Sequence, residues 1–172
     1  MNTNGLSPSV RVGAEVWIAP GAVVDGDVAL SDRANIWFAA VVRSNGAPVV
    51  LHEGANVQDN CVVESQPGHP AILGRYATMG HNARVLGAII EERVLIAMGA
   101  TVRAGARVGT GSIIGAQAEV PEGTDIPPRS LVVGNGRILR PTTDAEVARI
   151  HLGGSEYERL SREYRAAVGG QA

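Results

Sequence analysis

The sequence predicts an all-β solenoid assembled from six-residue units, with a helical tail. Two patterns carry this prediction: a large aliphatic residue at every sixth position, and a small residue four places after most of them. Composition agrees. The 172 residues include 22 Val, 11 Ile, 24 Ala and 22 Gly but only 3% aromatics. Small, stiff, β-branched side chains suit many short strands better than a helical bundle.

Residues 1–11 precede the repeat as an N-terminal segment. The repeat proper spans 12–136. It opens with Val12, Ile18, Val24, Leu30, Ile36 and Val42, then resumes after a three-residue insertion at Leu51, Val57 and Val63. A four-residue insertion follows, then Leu73, Met79 and Val85. One residue is dropped, and the series continues through Ile90, Ile96, Val102, Val108, Ile114, Val120, Ile126 and Val132. A period of six matches neither a 3.6-residue helix nor a two-residue alternation. It matches coils whose large aliphatics fill the interior while Ala34, Ala40, Ala55, Cys61, Ala77 or Ala83 fit where the backbone turns. One coil cannot bury its own interior, so stacking supplies the core. Gly-containing pairs such as Asp25-Gly26 and Glu122-Gly123 suit the corners.

The tail occupies 137–172. Thr143 and Glu146 have capping-box spacing ahead of Val147 and Ile150. Gly153-Gly154 is expected to interrupt that helix, and a second is expected to carry Tyr157, Leu160, Tyr164 and Val168 along one stripe.

Composition also excludes chemistries. All 15 basic residues are Arg, so Schiff-base chemistry and a P-loop lysine are ruled out. A net charge of −2 with no cationic run argues against nucleic acid or acidic membrane surfaces as partners. The single cysteine, Cys61, falls on a small inward position and reads as a packing residue. The first ten residues lack a signal-peptide pattern and no 18-residue apolar run occurs, so a cytoplasmic protein is expected.

Polar residues stand out where the repeat would accept something blander: Arg43, Gln58-Asp59, Glu64, the 66–70 insertion with His69, and Gly80-His81. Arg43, Gln58 and Glu64 each directly follow an inward aliphatic, and His81 lies one place further on. Residues at one phase of successive coils stack at about 5 Å, which would place these side chains on a shared surface.

The segments Asn35-Ile36-Trp37, Val42-Arg43, Asn56-Val57-Gln58-Asp59, Gly80-His81 and Met98-Gly99-Ala100 resemble the γ-class carbonic anhydrases. The tail agrees through Val120-Pro121-Glu122-Gly123, Ile126-Pro127-Pro128, Gly134-Asn135 and Tyr157. The resemblance implies a left-handed parallel β-helix and a homotrimer. It further implies zinc held between subunits by three histidines, with CO₂ hydrated by zinc-bound hydroxide. Carried over residue by residue, the first histidine position holds Glu64, the second keeps His81, and the third holds Leu86. The family's Arg-Gly-Asp reads Arg43-Ser44-Asn45, while Arg43, Gln58, Asp59 and Tyr157 match.

A catalytic zinc site needs three protein donors and an open position. Here Glu64 and His81 supply two, and only His69 on the insertion offers a third. No cofactor is therefore expected; a metal, if bound, would draw on Glu64, His81 and His69. The expectation is a repurposed enzyme without metal, acting on a small carbonyl or carboxylate compound by hydration, dehydration, cyclisation or thioester hydrolysis. Glu64 and His81 would be its acid–base pair, and Gln58 and Tyr157 would complete the catalytic set. Arg43 would anchor an anionic group, with Leu86 and His69 lining the substrate. Arg43 and Asp59 are also candidates for an intersubunit ion pair. Three alternatives stay open: an acyltransferase or thioesterase acting on coenzyme A esters, a non-catalytic trimeric scaffold, and a residual carbonic anhydrase.

Overall fold

The structure, a computed structural model, describes residues 6–169. Residues 1–5 and 170–172, and the side chain of Val168 in the expected apolar stripe, lie outside the described residues. The chain winds as a parallel solenoid of about seven turns. Among the described residues its strands form three sheets of seven, eight and six. The first sheet runs from Arg11–Val12 to Asp125–Ile126, the second from Trp17–Ile18 to Ser130–Val133, and the third from Val23–Asp25 to Glu119–Val120. Arg137–Pro141 returns antiparallel along Ser130–Val133 before the helix begins.

The six-residue aliphatics stack on one another in register. Leu30, Leu51, Leu73, Ile90, Val108 and Ile126 form one interior column. Val24, Val42, Val63, Val85, Val102 and Val120 form another. All are buried, as is every other member of the series except Val12 and Ile18 on the first coil. Each such side chain contributes on the order of 1.5–3 kcal/mol by leaving water.

Both insertions bulge where the third sheet turns into the first, leaving the register of Leu30 with Leu51 and Leu51 with Leu73 intact. The two loops are tied together by Ser65, whose hydroxyl accepts from the Asn45 amide at 2.7 Å and donates to the Ala47 carbonyl at 2.5 Å.

One continuous helix, α1 (Asp144–Gly169), closes the chain, where the sequence pattern suggested two. Gly153 and Gly154 do not break it. Neither has positive φ, and tertiary packing against the second sheet outweighs their poor helix propensity. The expected capping box is present: the Thr143 amide donates to Glu146 Oε2 at 2.8 Å and the Glu146 amide to Thr143 Oγ1 at 3.2 Å. Tyr157, Leu160 and Tyr164 pack on Trp17, Trp37 and Phe38. No helix among the described residues is long and apolar enough to cross a membrane.

Among the described residues, the outer faces of the other two sheets have no such helical cover. Ala29, Val50, Ile72 and Ile89 line up on the first, and Val23, Val41 and Val62 on the third. Gly153 is exposed, with nothing within 4 Å of where a Cβ would stand. Gly153→Ala is expected to stabilise the fold by about 0.5–1 kcal/mol through helix propensity, read as a raised thermal midpoint.

Candidate functional site

The third sheet organises the candidate residues along its two edges. At the end of its strands the outward positions of successive coils form one column: Asp25, Arg43, Glu64 and Leu86. Arg43 donates Nε and Nη2 to Glu64 Oε2, at 3.0 and 2.7 Å. The arginine side chain is 53% exposed and the carboxylate 20%. Leu86, half-buried, lies in register with Glu64.

The other edge is the corner where the second sheet turns into the third. Asn60 and Asn82 take left-handed φ values of 58° and 61° there, a conformation asparagine tolerates better than most residues. Those turns place Asp59 and His81 one above the other, with His81 Nδ1 3.1 Å from Asp59 Oδ2. Tyr157, reaching across from α1, brings its hydroxyl to 3.4 Å from His81 Nε2. Burial, then the charge of Asp59, then Cys61 raise the Tyr157 phenol above its ordinary value, so it keeps its proton at neutral pH. Tyr157 in turn stands edge-on against Trp37, their ring centres 5.1 Å apart.

Gln58 is buried and donates to Asn56 Oδ1 at 3.1 Å. Asn56 Nδ2 donates to Asn35 Oδ1, which also accepts from the Trp37 indole at 2.8 Å. This ladder beneath α1 fixes the orientation of Gln58. Residue type alone does not single out Asn35, Asn56 and Trp37 for this role. Two asparagines at one phase of neighbouring coils were the available signal.

Within one chain the candidate residues thus form two groups, one along each edge of the sheet. Arg43 pairs with Glu64, and Asp59 pairs with His81. His69 sits on the insertion loop, closed by backbone hydrogen bonds between Gln66 and His69 at 2.9 and 2.8 Å. Its imidazole lies over Gly105, past Leu86, and hydrogen-bonds neither Glu64 nor His81 among the described residues. Cys61 is fully buried, its thiol pointing at the Gly80 carbonyl at 3.1 Å and pushed up to about 12, first by burial. It packs and is no thiolate nucleophile.

These residues do not suit zinc. A site shared between subunits would not gather three donors in one chain, so the donor chemistry decides. Leu86 has no donor atom, and the Glu64 carboxylate already carries a guanidinium.

The segment 87–122 matches the family model described as bacterial transferase hexapeptide (six repeats). The chain is 40% identical over 151 residues to the "Probable carbonic anhydrase" of Methanocaldococcus jannaschii, covering 87% of this chain and 95% of that protein. It is 35% identical to the mitochondrial gamma carbonic anhydrase 1 of Arabidopsis thaliana, over 96% of this chain and 62% of that protein. The chain belongs to the γ-class carbonic anhydrase family of hexapeptide-repeat proteins. A solved Bacillus cereus structure superposes on this γ-carbonic-anhydrase-like chain with a TM-score of 0.89 at 29% identity, covering 92% of each. In this family member, Glu64 and Leu86 occupy the edge column and His81 the opposite corner.

Proposed function

We propose that this member of the γ-carbonic anhydrase family is a cytoplasmic homotrimer that works without zinc, carrying out acid–base chemistry on a small carbonyl compound. The observation behind this reading is Leu86 in register with Glu64, an apolar side chain beside an ion-paired carboxylate. Two sheets with uncovered apolar columns support the trimer, because closed cyclic association buries one face of each chain against a different face of the next. Such a ring would bring the Arg43–Glu64 edge of one chain to the Asp59–His81 edge of its neighbour.

In that arrangement Glu64 takes or returns the proton at the reacting carbon or oxygen. His81 serves as its partner from across the junction. Asp59 holds the Nδ1 side of the imidazole, leaving Nε2 for exchange with Tyr157 or substrate. Gln58, held by Asn56, orients the reacting group, and Leu86 excludes water from one side. A second reading, the non-catalytic scaffold, is favoured by one observation: Arg43 with Glu64, and Asp59 with His81, already pair within the chain.

Three measurements test the reading. Light scattering is expected to give three times the 17.8 kDa chain mass; a monomer would remove the shared site. Elemental analysis is expected to find far less than one zinc per chain, rising towards it in the double variant Glu64→His with Leu86→His. Tight stoichiometric zinc in the unaltered protein would overturn metal independence. On whichever small carbonyl compound or thioester a substrate screen identifies, Glu64→Gln is expected to lower turnover by roughly 10²–10⁴ while leaving the trimer intact. Full activity in that variant would hand the lead to the scaffold.

A further inference from the structure

A groove lies beside α1 at the corner where the first sheet turns into the second. Arg33, Gly54, Tyr76, Arg93, Gly111 and Arg129 take the same left-handed position on successive coils there. Arg93, Asp144, Val147, Ala148 and His151 line the groove, about 320 Å³ between that column and the first two turns of the helix. This is the lower end of the size range of small-ligand sites.

Its two ends are built from groups that already have partners. At one, Arg129 Nη2 donates to Asp144 Oδ1 at 2.7 Å and to the Thr142 carbonyl at 3.0 Å. At the other, the His151 ring stands edge-on to Tyr76, their centres 5.9 Å apart, and the Tyr76 hydroxyl donates to Glu53 Oε1 at 3.3 Å. Arg93 stands on the column between them. Arg33, Arg75 and Arg129 at this corner each bind a carboxylate. The Arg93 side chain makes no hydrogen bond or ion pair among the described residues, not even with Glu92 beside it.

The chemistry of the lining selects an occupant. A guanidinium donates two parallel hydrogen bonds to a carboxylate. Val147 and Ala148 have no polar side-chain atom, so hydrocarbon attached to that carboxylate leaves water against them. A doubly charged anion fits less well, because one guanidinium leaves its second charge unmatched and the Asp144 carboxylate at the rim opposes it. The corner also lies opposite the third sheet, whose two edges carry Arg43–Glu64 and Asp59–His81. A trimer joined through those edges leaves the groove facing outward.

We propose that the groove between Arg93 and the start of α1 binds a small organic carboxylate with an apolar body. Arg93 holds the carboxylate, and Val147 and Ala148 carry the body beside His151. The ligand touches solenoid and helix together, so occupancy ties α1 to the coils. The proposal goes beyond the acid–base reading and does not depend on it.

The test uses the full-length protein with ¹³C,¹⁵N-labelled histidine. Its four imidazoles report separate places: His151 in the groove, His81 at the opposite edge, His69 on the insertion loop and His52 on an earlier coil. His151→Gln identifies the groove resonances. Sodium benzoate, benzamide and inorganic phosphate are titrated separately at constant pH and ionic strength. Benzoate is expected to shift His151 saturably, with His81 moving less, and benzamide and phosphate are expected to bind at least about tenfold more weakly. Two variants probe the lining. Arg93→Gln removes the charge and keeps the corner, since Gln117 takes the same left-handed conformation at φ 60°. Ala148→Glu, on an exposed helix position, adds a carboxylate to the groove. Each is expected to keep the circular dichroism of the unaltered protein and to weaken benzoate at least about tenfold. Benzamide or phosphate binding as tightly as benzoate would overturn the proposal. So would unchanged benzoate binding in either folded variant, an unmoved His151, or a larger shift at His81 than at His151.

Discussion

The register of the parallel coils is the constraint on which everything else depends. Each interior aliphatic must sit on the one before it, since a strand of two or three residues has no other means of burying its side chain. Once Val42, Val63 and Val85 are stacked, the residue after each is fixed at the same edge. Arg43, Glu64 and Leu86 become neighbours although 21 and then 22 positions separate them in the chain. The insertions obey the same rule. They are expelled at one corner, where they form a lip beside the Arg43–Glu64 column without disturbing the core.

The helix plays a different part. It covers the second sheet, seals the asparagine ladder and delivers Tyr157 to His81. Its hold depends on the aromatic cluster of Trp17, Trp37 and Phe38, in a chain that has few aromatics elsewhere. Concentrating them there lets one amphipathic helix dock on a sheet whose outward positions also carry buried amides. The Asp59–His81 edge is therefore built by two elements, whereas the Arg43–Glu64 edge is built by the solenoid alone.

Family membership and side-chain chemistry lead in different directions at the edges. The backbone and much of the surrounding polar set follow the γ-class pattern. At the edge column, a leucine stands in register with an arginine-bound glutamate. A fold held by its interior tolerates this exchange, because the outward residues at strand ends contribute little to the stacked core.

The solenoid was legible in the sequence because its core is periodic: a single six-residue spacing states both which residues face inward and where the chain turns. Cys61 as a packing residue followed from the same spacing, and the Thr143–Glu146 cap from local helix chemistry. The sequence also placed Arg43, Glu64 and Leu86 at related phases. It left undecided which charge would pair with which. Within one chain, only the coil-to-coil register put the guanidinium on Glu64 and the imidazole on Asp59. The continuity of α1 through Gly153-Gly154 was likewise decided by tertiary structure. Local propensity disfavours that pair by a small amount, while docking on the aromatic cluster acts over the whole length of the helix. Periodic burial is written in the order of residues. Pairing between polar side chains depends on distances that exist only once the coils are stacked.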